Sequence, residues 1–133
     1  MKEVIAIIRP ERLYQTKIRL QRLRLSALTH HRVLGRGRER GLRYLPRQQA
    51  ASDAGVRYLP KRLISWVVEE TQVESLVNAI LEVNRTGRVG DGKIFVLPLE
   101  EAIRVRTMDR GAAALRSEHV GETVMGTIHA TRQ

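Results

Sequence analysis

The chain has 133 residues, 42% of them hydrophobic, with 24 lysines and arginines against 14 acids and no cysteine, a formal net charge of +10. That length suits one domain with its own core, and the lack of cysteine excludes a disulfide framework and a thiolate metal centre. The charge is lopsided: residues 1–62 hold 16 basic side chains against 4 acidic ones, and residues 63–133 hold 8 against 10, so positive potential gathers where phosphates, nucleic acid or an acidic protein would be drawn.

The apolar run 4–8 reads as a buried strand ended by Arg9-Pro10. Proline suits the first turn of a helix, and Leu13, Thr16, Leu20 and Leu23 then share one face through about residue 25, opposite Arg12, Lys17, Arg19, Arg22 and Arg24. Residues 27–34 form a second strand candidate leading into Gly35-Arg36-Gly37-Arg38-Glu39-Arg40-Gly41. From there to Pro60 the chain is polar and basic, an exposed loop too long for a plain connection. Within it Leu42-Arg43-Tyr44-Leu45-Pro46 nearly recurs as Val56-Arg57-Tyr58-Leu59-Pro60.

Residues 62–69 form the next strand. A capping box at Thr71-Gln72-Val73-Glu74 opens a helix that turns Val73, Leu76, Val77, Ile80 and Asn84 inward and ends near Thr86-Gly87. Residues 93–98 are a strand, and 102–107 alternate Ile103 and Val105 with Arg104 and Arg106 as a further strand would. The order β-α-β-loop-β-α-β is the split βαβ plan, an α+β ferredoxin-like domain over 1–111. Residues 37–59 protrude from it as a loop, and 112–133 are a flexible tail or one added strand. The apolar start is too short for a signal peptide and no segment reaches roughly 18 apolar residues, which predicts a cytoplasmic protein.

Phosphate chemistry is written in Thr86-Gly87-Arg88-Val89-Gly90-Asp91-Gly92-Lys93. Glycines let backbone N–H groups turn toward an anion and the lysine adds a full charge beside them. The spacing is not a Walker A loop, since no GxxxxGK[ST] is present and the segment feeds a strand; a plain hairpin turn shares these features. Arg104 and Arg106, roughly 7 Å apart on one strand face, suit two guanidiniums gripping one polyphosphate, or a solvated face. Gly35 and Gly37 with Arg38 form a second basic turn. Catalytic groupings are missing: His30 and His31 face opposite ways, His119 and His129 lie in the tail, and there is neither GxSxG nor a cysteine nucleophile. The chain is not expected to be an enzyme.

Thr86-Gly87-x-x-Gly90-Asp91-Gly92-Lys93-Ile94-Phe95-Val96, Arg104-Val105-Arg106-Thr107, Ile7-Ile8-Arg9-Pro10 and Gly35-Arg36-Gly37-Arg38-x-x-Gly41 together resemble the PII nitrogen-regulatory signalling proteins, over residues 1–111. The resemblance implies a homotrimer of ferredoxin-like subunits that binds ATP or ADP, with Mg, in clefts between neighbours and acts on a target enzyme, transporter or transcription regulator through the loop 37–59. It puts Gly90, Asp91, Gly92 and Lys93 around the phosphates, with Arg104 and Arg106 reaching in from the next subunit. Thr29, Gly35, Gly37, Arg38 and Val67 would complete the pocket, and Lys61 would receive a carboxylate of 2-oxoglutarate. Glu39 stands where the family usually has a glutamine; it would repel 2-oxoglutarate but could be a Mg ligand. The tip of the loop has no counterpart of the tyrosine that many relatives have uridylylated. Gly35-Arg36-Gly37 and Ala27-Leu28-Thr29 resemble the nitrogenase-associated branch. The competing reading is a basic nucleic-acid-binding module, with Tyr44 and Tyr58 as its stacking aromatics.

Overall fold

Residues 1–25, 27–37 and 58–116 are described by the computed structural model. The rest of the expected loop, with Arg38 and Glu39, and residues 117–133 lie outside the described residues. Strand β1 (Lys2–Ile8) ends at Pro10, whose fixed φ starts a 3-10 turn, Pro10–Arg12, that runs into helix α1 (Leu13–Arg22). Strands β2 (Thr29–Gly35) and β3 (Leu59–Val68) follow, then helix α2 (Val73–Asn84), strand β4 (Lys93–Pro98) and a short helix α3 (Ala112–Leu115). The sheet order is β2-β3-β1-β4 with every pair antiparallel, the ferredoxin-like arrangement. The chain divides into two compact units, Met1–Glu100 and Glu101–Gln133.

Strand alternation sorts the first unit into two faces. Val4, Ala6 and Ile8 of β1 and Ile64, Trp66 and Val68 of β3 join Leu20 of α1 and Leu76, Ala79 and Ile80 of α2 in the core; each large side chain so buried contributes about 1.5–3 kcal/mol. The two helices also share a buried polar pair. Asn84 Nδ2 donates to Thr16 Oγ1 at 3.1 Å and to the Ile80 carbonyl at 2.9 Å, and the Thr16 hydroxyl donates to the Arg12 carbonyl at 2.8 Å. This explains a threonine in an apolar row, since its hydroxyl is satisfied. Asn84→Ala should therefore lower stability by about 1–3 kcal/mol in a denaturant titration, by cavity and lost bonds together. An unchanged midpoint would show that the pair carries nothing.

The opposite sheet face presents Ile5, Ile7, Leu63, Val67, Phe95 and Leu97 by register. Neither α1 nor α2 covers it, and Val67, Phe95 and Leu97 are 37%, 44% and 38% exposed.

Three sequence expectations change. Helix α1 stops at Arg22 and Leu23 is exposed, because Arg24 takes φ 59° and the Leu25 N–H closes onto the Leu20 carbonyl at 2.9 Å, a helix end that needs no glycine. The capping box is Glu69 with Gln72 and not Thr71 with Glu74: a 3-10 turn, Glu70–Gln72, starts the helical path early, and Gln72 Oε1 accepts from the Glu69 N–H at 3.1 Å. Residues 102–107 are not a strand. The Arg104 N–H donates to the Asp109 carbonyl at 2.9 Å and the Met108 N–H to the Arg104 carbonyl at 2.7 Å, with Ile103 bridged to Arg110. Arg104 and Thr107 both direct their side chains to Asp109, a local network that competes with sheet pairing. The same-face pairing of Arg104 and Arg106 lapses with the strand. Among the described residues no helix is long and apolar enough to cross a membrane.

Candidate functional site

The glycine loop between α2 and β4 is built around one carboxylate. Asp91 Oδ2 accepts the N–H groups of Thr86 and Gly87 at 2.7 and 2.9 Å, while Oδ1 accepts the Thr86 hydroxyl and the Arg9 guanidinium. Arg9, at the end of β1, also donates to the Val89 carbonyl at 2.9 Å. The Thr86 hydroxyl first, and the Arg9 guanidinium next, hold the Asp91 carboxyl well below the usual carboxylate range. Asp91 therefore stands inside the loop as its fastener, and Arg9 neutralises its charge, so the loop can present positive groups without an opposing acid.

Backbone geometry completes the loop. Gly87, Gly90 and Gly92 have φ of 82°, 101° and 106°. At Gly92 the requirement is absolute: a Cβ there would overlap the Ile7 carbonyl oxygen and stand 2.9 Å from its carbon. Lys93 follows at once, exposed, paired in register with Ile7. From the start of β3, Lys61 Nζ donates to the Gly90 carbonyl at 2.9 Å, and a Cβ on Gly35 would lie 3.2 Å from Lys61 Cγ. The ends of β1, β2 and β3 thus meet the loop at one end of the sheet.

Of the residues singled out from the sequence, Gly35, Lys61, Gly90, Asp91, Gly92 and Lys93 come together here. Thr29 and Val67 lie on the open sheet face; six residues separate Thr29 from Gly35 and Val67 from Lys61, roughly 20 Å along each strand. Gly37 is exposed just past β2. In the second unit Arg104 donates to Asp109 at 2.9 Å and to the carbonyls of Ala113, Ala114 and Arg116, gathering the carbonyl end of α3; Arg106 is exposed on the neighbouring turn. Among the described residues no group of three or more His, Asp or Glu side chains could hold a metal ion, and the Mg ligand read from the sequence, Glu39, lies outside them. Arg9 as partner of Asp91 was missed by sequence reasoning, because the two are 82 residues apart.

The model of the family described as nitrogen regulatory protein P-II matches residues 1–109. The chain belongs to the P-II family. P-II proteins are signal-transduction regulators of nitrogen metabolism rather than enzymes, and members bind ATP or ADP and 2-oxoglutarate. The chain is 46% identical over 121 residues to a nitrogen fixation nifHD region GlnB-like protein 2 of Methanothermobacter marburgensis, covering 86% of this chain and all of the relative. It is 42% identical over 115 residues to the nitrogen regulatory protein P-II of Rhodospirillum rubrum, covering 86% of this chain and again all of the relative. Among solved structures, Arabidopsis thaliana PII bound to citrate superimposes with a TM-score of 0.69 at 35% identity, over 88% of this chain and 91% of that one. The curated P-II relatives from nitrogen-fixation regions place the chain with the nitrogenase-associated branch.

Proposed function

We propose that this protein is a homotrimeric sensor of ATP and ADP that regulates a nitrogen-metabolism target, nitrogenase or an enzyme allied to it, through the loop 37–59 in the cytoplasm. The phosphates are received by Gly90, Gly92 and Lys93 with Gly35, Gly37 and Arg38. Arg104 and Arg106 of a neighbouring copy close the site, and Thr29 and Val67 flank the base. One observation carries the reading: the loop at 86–93 is fastened by Asp91 and Arg9, so little ordering remains when an anion arrives. The open apolar sheet face supports a trimer, since a patch of that kind marks a surface that a partner covers.

Calorimetric titration with ATP and with ADP tests this. Lys93→Ala should weaken both about tenfold or more, the worth of a charge-assisted hydrogen bond, with little change in melting temperature. Wild-type affinity in that variant would put the site elsewhere, and a stable monomer in light scattering that still binds ATP tightly would refute the shared cleft. Arg104→Ala is not a clean probe, because Arg104 also holds its own unit together.

Glu39 sets the response to 2-oxoglutarate. A carboxylate about 4 Å from that dianion adds about 1–4 kcal/mol of repulsion, so the wild-type protein should respond to the ATP/ADP ratio and only poorly to 2-oxoglutarate. Glu39→Gln should restore binding in calorimetry with Mg-ATP present. Tight wild-type binding, or no gain in the variant, would refute the assignment.

A further inference from the structure

On the helix-facing side of edge strand β2, opposite in face to Gly35 and Lys61, three cations gather beside a histidine without an acid among them. Arg32 and Arg62 are direct cross-strand partners, a placement in which like charges repel. One pair further along β2 stands His30, whose Nε2 is 3.3 Å from Lys17 Nζ of α1. Among the described residues neither guanidinium makes a hydrogen bond or ion pair, and the Nε of Arg62 is buried with no acceptor. Arg62 as a whole is half-buried and Arg32 exposed, so the cost falls on the buried Nε, which an anion supplied from outside would relieve. Next to the pair opens a cavity of about 380 Å³ in which Pro10, Leu34 and Pro60 supply apolar surface beside Arg32, Lys61 and Arg62.

We propose that Arg32 and Arg62 form a second anion site, distinct from the glycine loop but bordered by the same Lys61, that takes a dianionic oxyanion of the phosphate-monoester class carried on a small apolar body. Two guanidiniums on neighbouring strands offer paired donors to a tetrahedral oxyanion, Lys17 extends the positive field along β2, and Pro10, Leu34 and Pro60 receive the organic part. His30 reports occupancy. The Lys17 charge first, then partial desolvation, and then Arg62, His31 and Arg32 press its pKa below the usual value, so an anion seated among these charges should raise it again.

The test uses the full chain. Sulfate, which does not titrate near neutral pH, should raise the His30 imidazole pKa followed by NMR, and chloride at matched ionic strength should not. In calorimetry phenyl phosphate should bind the wild-type protein and lose about tenfold or more in Arg32→Ala and in Arg62→Ala, while both variants keep wild-type ATP affinity. Equal His30 shifts in sulfate and chloride, no binding of phenyl phosphate, or wild-type affinity for it in both variants would each overturn the proposal.

Discussion

Gly92→Ala should unfold or severely destabilise the protein, with a loss of about 3 kcal/mol or more and a fall in melting temperature of about 10 °C or more. Two effects add. The residue has φ 106°, a conformation that L side chains rarely adopt, and its Cβ would be driven into the Ile7 carbonyl. Ile7 is the register partner of Lys93 and of Leu63, so relief of the clash must shift either β4 or the centre of the sheet. Gly37→Ala is the control: a Cβ there meets nothing within 4 Å and should change stability by less than about 0.5 kcal/mol. Thermal unfolding of the two variants side by side decides the matter, and equal melting temperatures would show that the loop yields at no cost.

Asp91→Asn should release the loop and, with it, the nucleotide. The substitution keeps the size of the side chain but removes the charge that meets Arg9; with the amide oxygen kept on the Thr86 and Gly87 N–H groups, the NH2 group faces the Arg9 guanidinium, donor against donor, and the tie to β1 is lost. Hydrogen exchange at the Thr86 and Gly87 amides should quicken, and affinity for ATP should fall about tenfold or more as the anion must then order the loop. The pH dependence has a definite sign. The folded-state pKa of Asp91 lies below its unfolded value near 3.9, so the unfolded chain takes up the proton more readily. Asp91 therefore contributes stability that is present above about pH 4 and withdrawn as pH falls below it toward the folded value. The gap in denaturation midpoint between wild type and variant should be full at pH 7 and shrink by pH 3. A gap that does not change with pH would mean that the carboxylate charge plays no part in holding the loop.

The sheet-forming elements, the ferredoxin-like order and the glycine loop are legible in the amino-acid sequence, because they depend on short-range pattern. Lys93–Pro98 is bounded by glycine and proline and matches the expected strand, and the buried positions of α2 recur at helical spacing. Pattern also misled where two periods coincide: Ile103 and Val105 alternate with arginines as a strand would, yet Asp109 lies close enough to capture Arg104 and Thr107 and bend the chain into a turn. That Asp91 fastens the loop from within is visible only in three dimensions, because its partner Arg9 is 82 residues away and no local rule pairs them. The tertiary structure alone also sets Arg32 against Arg62, since cross-strand register, fixed by the whole sheet, determines which charges must face each other.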